Sequence, residues 1–432
     1  MFQFRFIILW TLCAVSLSAV PVGEQMPKYT GPGSCGSPSC HGSVRPRTEN
    51  SVLQNEYSVW AVTDKHSRAA SVLTNDLGKR IGHILGIRPE TNAKCLDCHS
   101  LNVMEGQQAR SFDTSEGVSC ENCHGPASNW LGPHTTRGWT HERSLDEGMV
   151  NLRDPIKRSE TCLSCHLGTA SKYVDHEMIA AGHPDLYFEL VSFSAAMPKH
   201  WKERDKDPWI DLRLLATGEA VQLRENMRRI ARDTARFWPE YSELDCFACH
   251  HSLTTAKNSW RQERGYAGRR PGNPSWNASR YAILKVILEQ VSSDDARHLD
   301  SELTRVNSLV SDVTADRRQI AAAAQAASDL AYQIARRMAG LHFDSPAALL
   351  LMRRISGSSD LISAQGERSA EQAAMVLNSL VIAYCENAKP APAAQTQMKA
   401  AVTALFQLVE NPAAYNPYSF ATQMRAFNGL VR

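Results

Sequence analysis

The chain lacks three things that would each open a different reading. It lacks a charge imbalance: 47 Lys and Arg against 45 Asp and Glu leave a formal net charge of +2, which gives no footing for a nucleic-acid partner. It lacks any apolar run long enough to cross a bilayer: the one at its start is too short, and no other segment is apolar enough. It also has almost no unassigned cysteine. Of twelve cysteines, ten fall in five clusters that each end in histidine; Cys13 lies near the start and Cys385 is left over. A disulfide framework would leave those histidines unexplained, in a chain too long to need one.

Four of the clusters are spaced C-x-x-C-H: Cys95/Cys98/His99, Cys120/Cys123/His124, Cys162/Cys165/His166 and Cys246/Cys249/His250. The first in the chain is expanded, Cys35-Gly-Ser-Pro-Ser-Cys40-His41, with four residues between its cysteines. Two thiols a short loop apart can each add to a porphyrin vinyl group, and the adjacent imidazole is then placed to bind the iron. Zinc sites and thioredoxin-like dithiols also use C-x-x-C, but neither calls for a histidine after the second cysteine every time. A bulged Gly-Ser-Pro-Ser turn accommodates the longer loop. The pattern predicts five covalently bound haem c groups, with the ten cysteines as attachment points and His41, His99, His124, His166 and His250 as proximal iron ligands.

Residues 1–19 have the form of a secretory signal, with Arg5, an apolar stretch from Phe6 to Leu17, and small residues Ser18 and Ala19 at its end. Haem c is attached outside the cytoplasmic membrane, so the expected location is the periplasm. Residues 30–255 then form a pentahaem domain, 256–278 a Gly- and Pro-containing linker, and 279–432 an Ala- and Leu-rich helical bundle or extension. The fold class expected is mainly α with little sheet. Asp207-Pro208 opens a helical pattern to about Phe237. Arg224, Arg228, Arg229, Arg232 and Arg236 lie along it at helical spacing and read as a solvated face or as partners for haem propionates. In the second half, Leu330, Ile334 and Met338 mark one amphipathic helix, Asp344 or Ser345 with Pro346 starts another, and Ser369 with Gln372 resembles a capping box.

Several stretches resemble the multihaem cytochrome c-554 family, whose haem packing is similar to that of hydroxylamine oxidoreductase. They are Lys65-His66-Ser67-Arg68-Ala69, Cys95-Leu-Asp-Cys-His99, Gly117-Val-Ser-Cys-Glu-Asn-Cys-His-Gly-Pro126 with Trp130 and His134, His176-Glu-Met-Ile-Ala-Ala-Gly-His183, Met197-Pro-Lys-His200-Trp, and Asp245-Cys-Phe-Ala-Cys-His-His251. The resemblance implies closely stacked haems and names His66, His134, His176, His183 and His200 as distal ligands. His251 is a ligand to a neighbouring iron or a propionate partner, His83 and His141 are weaker candidates, His298 and His342 read as ordinary packing, and Met178 and Met197 as core. The chain departs from the family in its fifth motif, its expanded first motif and its helical extension.

Function turns on the sixth iron position. Bis-histidine iron relays electrons, whereas an open iron can bind small nitrogen or oxygen species. The reading is a periplasmic carrier passing electrons between redox protein partners, with the helical half available for a homo-oligomer or complex. The alternative is a nitrogen-cycle oxidoreductase acting on hydroxylamine, nitrite or nitric oxide; against it, no motif ends in lysine. If one iron were open, the expanded first motif is where the sequence points.

Overall fold

The computed structural model describes residues 26–49, 52–202, 206–234, 238–246, 249–250 and 273–431. The stretch read as a signal, most of the linker and His251 lie outside the described residues. Among them the chain is mainly α and forms no strand, only isolated bridges from Tyr29 to Gln108 and from Leu244 to Trp276.

The first half is built of short helices joined by turns: α1 (Glu56–Thr63), α2 (Asp76–Leu85), α3 (Ala93–His99), α4 (Cys120–His124), α5 (His141–Asp146), α6 (Pro155–His166), α7 (His176–Ala180) and α8 (Leu190–Ala196). Side chains cap most of them, as Asn92 does for α3 and Asp175 for α7. Buried apolar side chains are sparse here, and buried polar ties substitute. Glu121, 2% exposed, accepts the N–H groups of Thr30, Gly31 and Ala127 at 2.7–2.9 Å, tying the segment before the first motif to the third.

The second half is a conventional helical layer: α9 (Ile210–Asp233), α10 (Ser279–Val291), α11 (Ser293–Val310), α12 (Arg317–Met338), α13 (Ser345–Gly357), α14 (Ser359–Ala364), α15 (Glu367–Asn387), α16 (Pro392–Val409) and α17 (Pro417–Leu430). Helix α9 is its axis, packing most extensively on α12 and also on α6, α8, α10 and α15. Leu212, Leu215, Leu223, Met227 and Ile230 are at most 1% exposed along it. Since α6 ends in the fourth motif, α9 joins that motif to the C-terminal core. Trp276, at the end of the linker stretch, is also core: its Nε1–H donates to Asn226 Oδ1 at 3.0 Å and its backbone N–H to Asn307 Oδ1 at 3.1 Å.

Leu330, Ile334 and Met338 are buried on α12, and Asp344 caps α13 by accepting the Ala347 N–H. Two local readings differ. Helix α15 begins at Glu367, so Ser369 and Gln372 lie inside it; Gln372 Nε2 donates to Phe188 O and to Glu219 instead of capping. Arg224 and Arg229 do not face solvent. Each is 5% exposed, Arg224 paired with Glu160 and Glu225 and Arg229 with Glu243. Acids contributed by α6 and by the turn before Leu244 turn that part of the basic row inward.

Candidate functional site

In a helix, the N–H of a residue faces the carbonyl four positions back, so the histidine of C-x-x-C-H is fixed to its first cysteine. The second, third and fourth motifs lie on α3, α4 and α6, and in the fifth the His250 N–H donates to Cys246 O at 2.7 Å. The expanded motif keeps the same link: the His41 N–H donates to Cys35 O at 3.2 Å across the longer loop. The extra residues close on themselves, with the N–H groups of Cys40 and Gly42 both donating to Ser37 O. Closure needs glycine at 42, because a Cβ there would stand 1.9 Å from Gly36 O.

The histidine rings are oriented through Nδ1. His41 Nδ1 donates to Glu56 at 2.9 Å and His66 Nδ1 to Asp64 at 3.0 Å. His99, His134, His183 and His200 donate to the carbonyls of Ala69, Trp130, Pro184 and Pro198 at 2.7–3.1 Å. A carbonyl can only accept, so the Nδ1 proton is fixed and the Nε2 lone pair is left free, as a metal-binding imidazole requires. Hydrogen bonds to Glu56 and Asp64 raise His41 and His66 above the usual histidine value. Desolvation pushes His124 and His166 down to about 4 and lowers His183, keeping those rings neutral.

The rings are also paired across gaps of one size. Centroids are 6.2 Å apart for His41 and His134, 6.2 Å for His66 and His166, 6.3 Å for His99 and His183, and 6.3 Å for His176 and His250. A metal–imidazole bond of about 2.0 Å on each side, with about 1.1 Å from nitrogen to ring centre, separates the centroids of a bis-histidine iron by about 6.2 Å. Each pair joins one motif histidine to one of the histidines that the resemblance named. The spacing and the free Nε2 atoms fit axial ligation of haem. His200 is the fifth such histidine and lies within electrostatic range of His124. Among the described residues no three His, Cys, Asp or Glu side chains converge as zinc would require.

Contacts between motifs give their order in space. The thiols of Cys35 and Cys120 are within hydrogen-bonding reach, as are those of Cys98 and Cys165. Cys123 lies near Cys162 and Cys165. Lys94, beside Cys95, forms an ion pair at 2.5 Å with Asp175, the cap of the helix that starts at His176. The sites therefore run first, third, fourth, second, fifth.

The weaker candidates stay apart. His83 and His298 are exposed, His342 has a side chain 81% exposed, and His141 engages Asn151 through Nε2. Exposure, and not packing, accounts for His298 and His342. Met178 is 4% exposed core. Sequence reasoning missed Glu56 and Asp64, although an acid two residues before His66 was a visible signal. It also missed Lys172, whose Nζ donates to Asp97 O and Cys165 Sγ between two motifs.

Comparison with known proteins agrees over part of the chain. The family model for cytochrome c554 and c-prime matches residues 35–125, a span holding the first three motifs and His66. No match was found among curated proteins or among solved structures. No helix among the described residues is long and apolar enough to cross a membrane. The match supports a c554-type cytochrome domain over residues 35–125 and, with it, a c-type cytochrome in electron transfer.

Proposed function

We propose that the protein is an exported, periplasmic pentahaem electron carrier in which every haem is held by two cysteines and two histidines. The observation that carries this is the set of histidine pairs at one spacing, with Nδ1 hydrogen bonds that leave Nε2 free on His41, His66, His99, His134 and His183. On this reading the axial pairs are His41 with His134, His99 with His183, His124 with His200, His166 with His66 and His250 with His176. The cysteines Cys35, Cys40, Cys95, Cys98, Cys120, Cys123, Cys162, Cys165, Cys246 and Cys249 form the thioether links. When bound, haem supplies a one-electron iron couple.

The protein's own work is to hold the rings still and close together. Nδ1 anchors prevent the imidazoles from turning, and carboxylates on His41 and His66 make those two ligands more electron-rich than carbonyl-anchored ones. That difference favours the oxidised state at the first and fourth sites relative to the second. Electrons exchanged with protein partners at the end sites then need no small-molecule substrate. Supporting export, cysteine attachment of haem belongs outside the cytoplasm.

A nitrogen-oxide activity needs one open iron, and on this reading the third site is the first place to look for it. His134 faces His41 squarely, with ring planes 7° apart, whereas His200 is only in electrostatic range of His124. Electron paramagnetic resonance of the oxidised holoprotein, with haem counted by mass, tests the reading. Five haems, all low-spin and unaffected by nitric oxide after reduction, are expected. A high-spin haem that binds nitric oxide and disappears in Cys120→Ala/Cys123→Ala would replace the carrier with an enzyme.

A further inference from the structure

Helix α15 reaches across to the fifth site. Arg368, in its first turn, has a side chain 22% exposed and pairs with Asp185, itself 23% exposed. The same guanidinium points an Nη2 at Cys246 Sγ, 3.4 Å away. Asp185 lies two residues after His183, in a segment also held by Arg280, whose Nη2 donates to Leu186 O at 2.6 Å. One cation therefore joins three parts of the chain: the C-terminal layer, the segment carrying His183, and a cysteine of the fifth motif. All three lie beyond the residues that the family model matches.

A guanidinium keeps its charge throughout the range in which proteins are folded. Placed largely out of solvent, that charge is poorly screened and acts strongly on neighbours. Reduction of a haem removes one positive charge from it, so a nearby fixed cation favours the reduced form and a nearby anion the oxidised one. Glu367 and Glu371 lie in the same region on the same helix, but desolvation raises both carboxyls, Glu371 to about 7, which weakens their opposing charge.

We propose that Arg368 is a positioning residue of the fifth site: it docks Cys246 against the His183 segment and raises the midpoint potential of the haem there, with Asp185 as the opposing charge. The proposal rests on the reading that Cys246, Cys249 and His250 carry haem.

Spectroelectrochemical titration of the purified holoprotein tests it, using Arg368→Gln, Arg368→Lys, Asp185→Asn and a Cys246→Ala/Cys249→Ala reference. The double cysteine variant should lose the mass of one haem, and the titration step missing from it identifies the fifth site. Arg368→Gln should lower that step by about tenfold in its one-electron equilibrium constant, about 59 mV. Asp185→Asn should move the same step upward, and Arg368→Lys should restore the parental value. Loss of packing alone would move both variants the same way or spread the shift over several haems, and either result overturns the proposal, as does no shift. A double cysteine variant with the parental haem mass would instead remove the haem reading of the fifth motif, whatever Arg368 does.

Discussion

Gly42 sets a steric condition for the first site. The long loop between Cys35 and Cys40 preserves the His41-to-Cys35 hydrogen bond only because the chain at 42 passes directly over Gly36. Alanine would place its Cβ 1.9 Å from a backbone oxygen that cannot rotate away, so the loop itself must move. Gly42→Ala is expected to yield protein with one haem fewer, seen as a single-haem loss by intact mass, while the other four sites load normally. Full loading would show that the loop has slack. Cysteine spacing is a local property, which is why the five motifs, and the attachment residues proposed from them, are legible in the chain. The pairing of histidine rings is not local: His66 meets His166, a hundred positions on, and only the folded arrangement joins them. The Nδ1 anchors are mostly backbone carbonyls, which carry no mark in a sequence.

At the level of the helix, α9 shows what periodicity reveals and what it conceals. Its existence and its start near Asp207-Pro208 follow from pattern, but a row of arginines looks the same whether solvent or a neighbouring helix lies beyond it. The acids that draw Arg224 and Arg229 inward sit on other elements, at Glu160 and Glu243. The same helix buries Glu219, 2% exposed, with Oε1 accepting from Gln372 and no hydrogen-bond partner for Oε2 among the described residues. Desolvation, reinforced by Glu189, pushes its carboxyl up to about 8, with Gln372 and Arg280 acting in the opposite direction. A carboxyl raised in the folded state holds a proton that the unfolded chain has already released. Stability is therefore greatest below the ordinary carboxylate value and falls as pH rises, until the folded group ionises near 8. Between those values the slope from this one group is at most about 1.4 kcal/mol per pH unit. Glu219→Gln should keep the Gln372 contact and flatten that part of the profile, measured by urea unfolding at a series of pH values between 5.5 and 8.5. A profile as steep as the parent's would assign the dependence to other groups.

Over the whole molecule, the order of the sites in space differs from their order in the chain, and this difference makes a test of the carrier reading. Cys35 beside Cys120, Cys123 beside Cys162 and Cys165, Cys165 beside Cys98, and Lys94 paired with Asp175 string the motifs as first, third, fourth, second, fifth. The fourth site is then central: α6 carries it, α9 braces α6, and the C-terminal helices brace α9. The first and fifth sites are the ends, and the fifth is the one that the C-terminal layer touches through Arg368. Such an arrangement behaves as a relay, so losing a middle member separates the ends and losing an end member leaves the rest connected. With a reductant delivered by a protein too large to reach buried sites, Cys162→Ala/Cys165→Ala should split reduction into a fast and a slow population. The removal of an end site by Cys246→Ala/Cys249→Ala should leave the remaining haems reducing as one population or not at all, depending on which end receives the electron. Stopped-flow absorbance separates these cases. A single fast phase in the fourth-site variant would mean that the sites are bridged by a route that the contacts between motifs do not contain, and the relay order would fall.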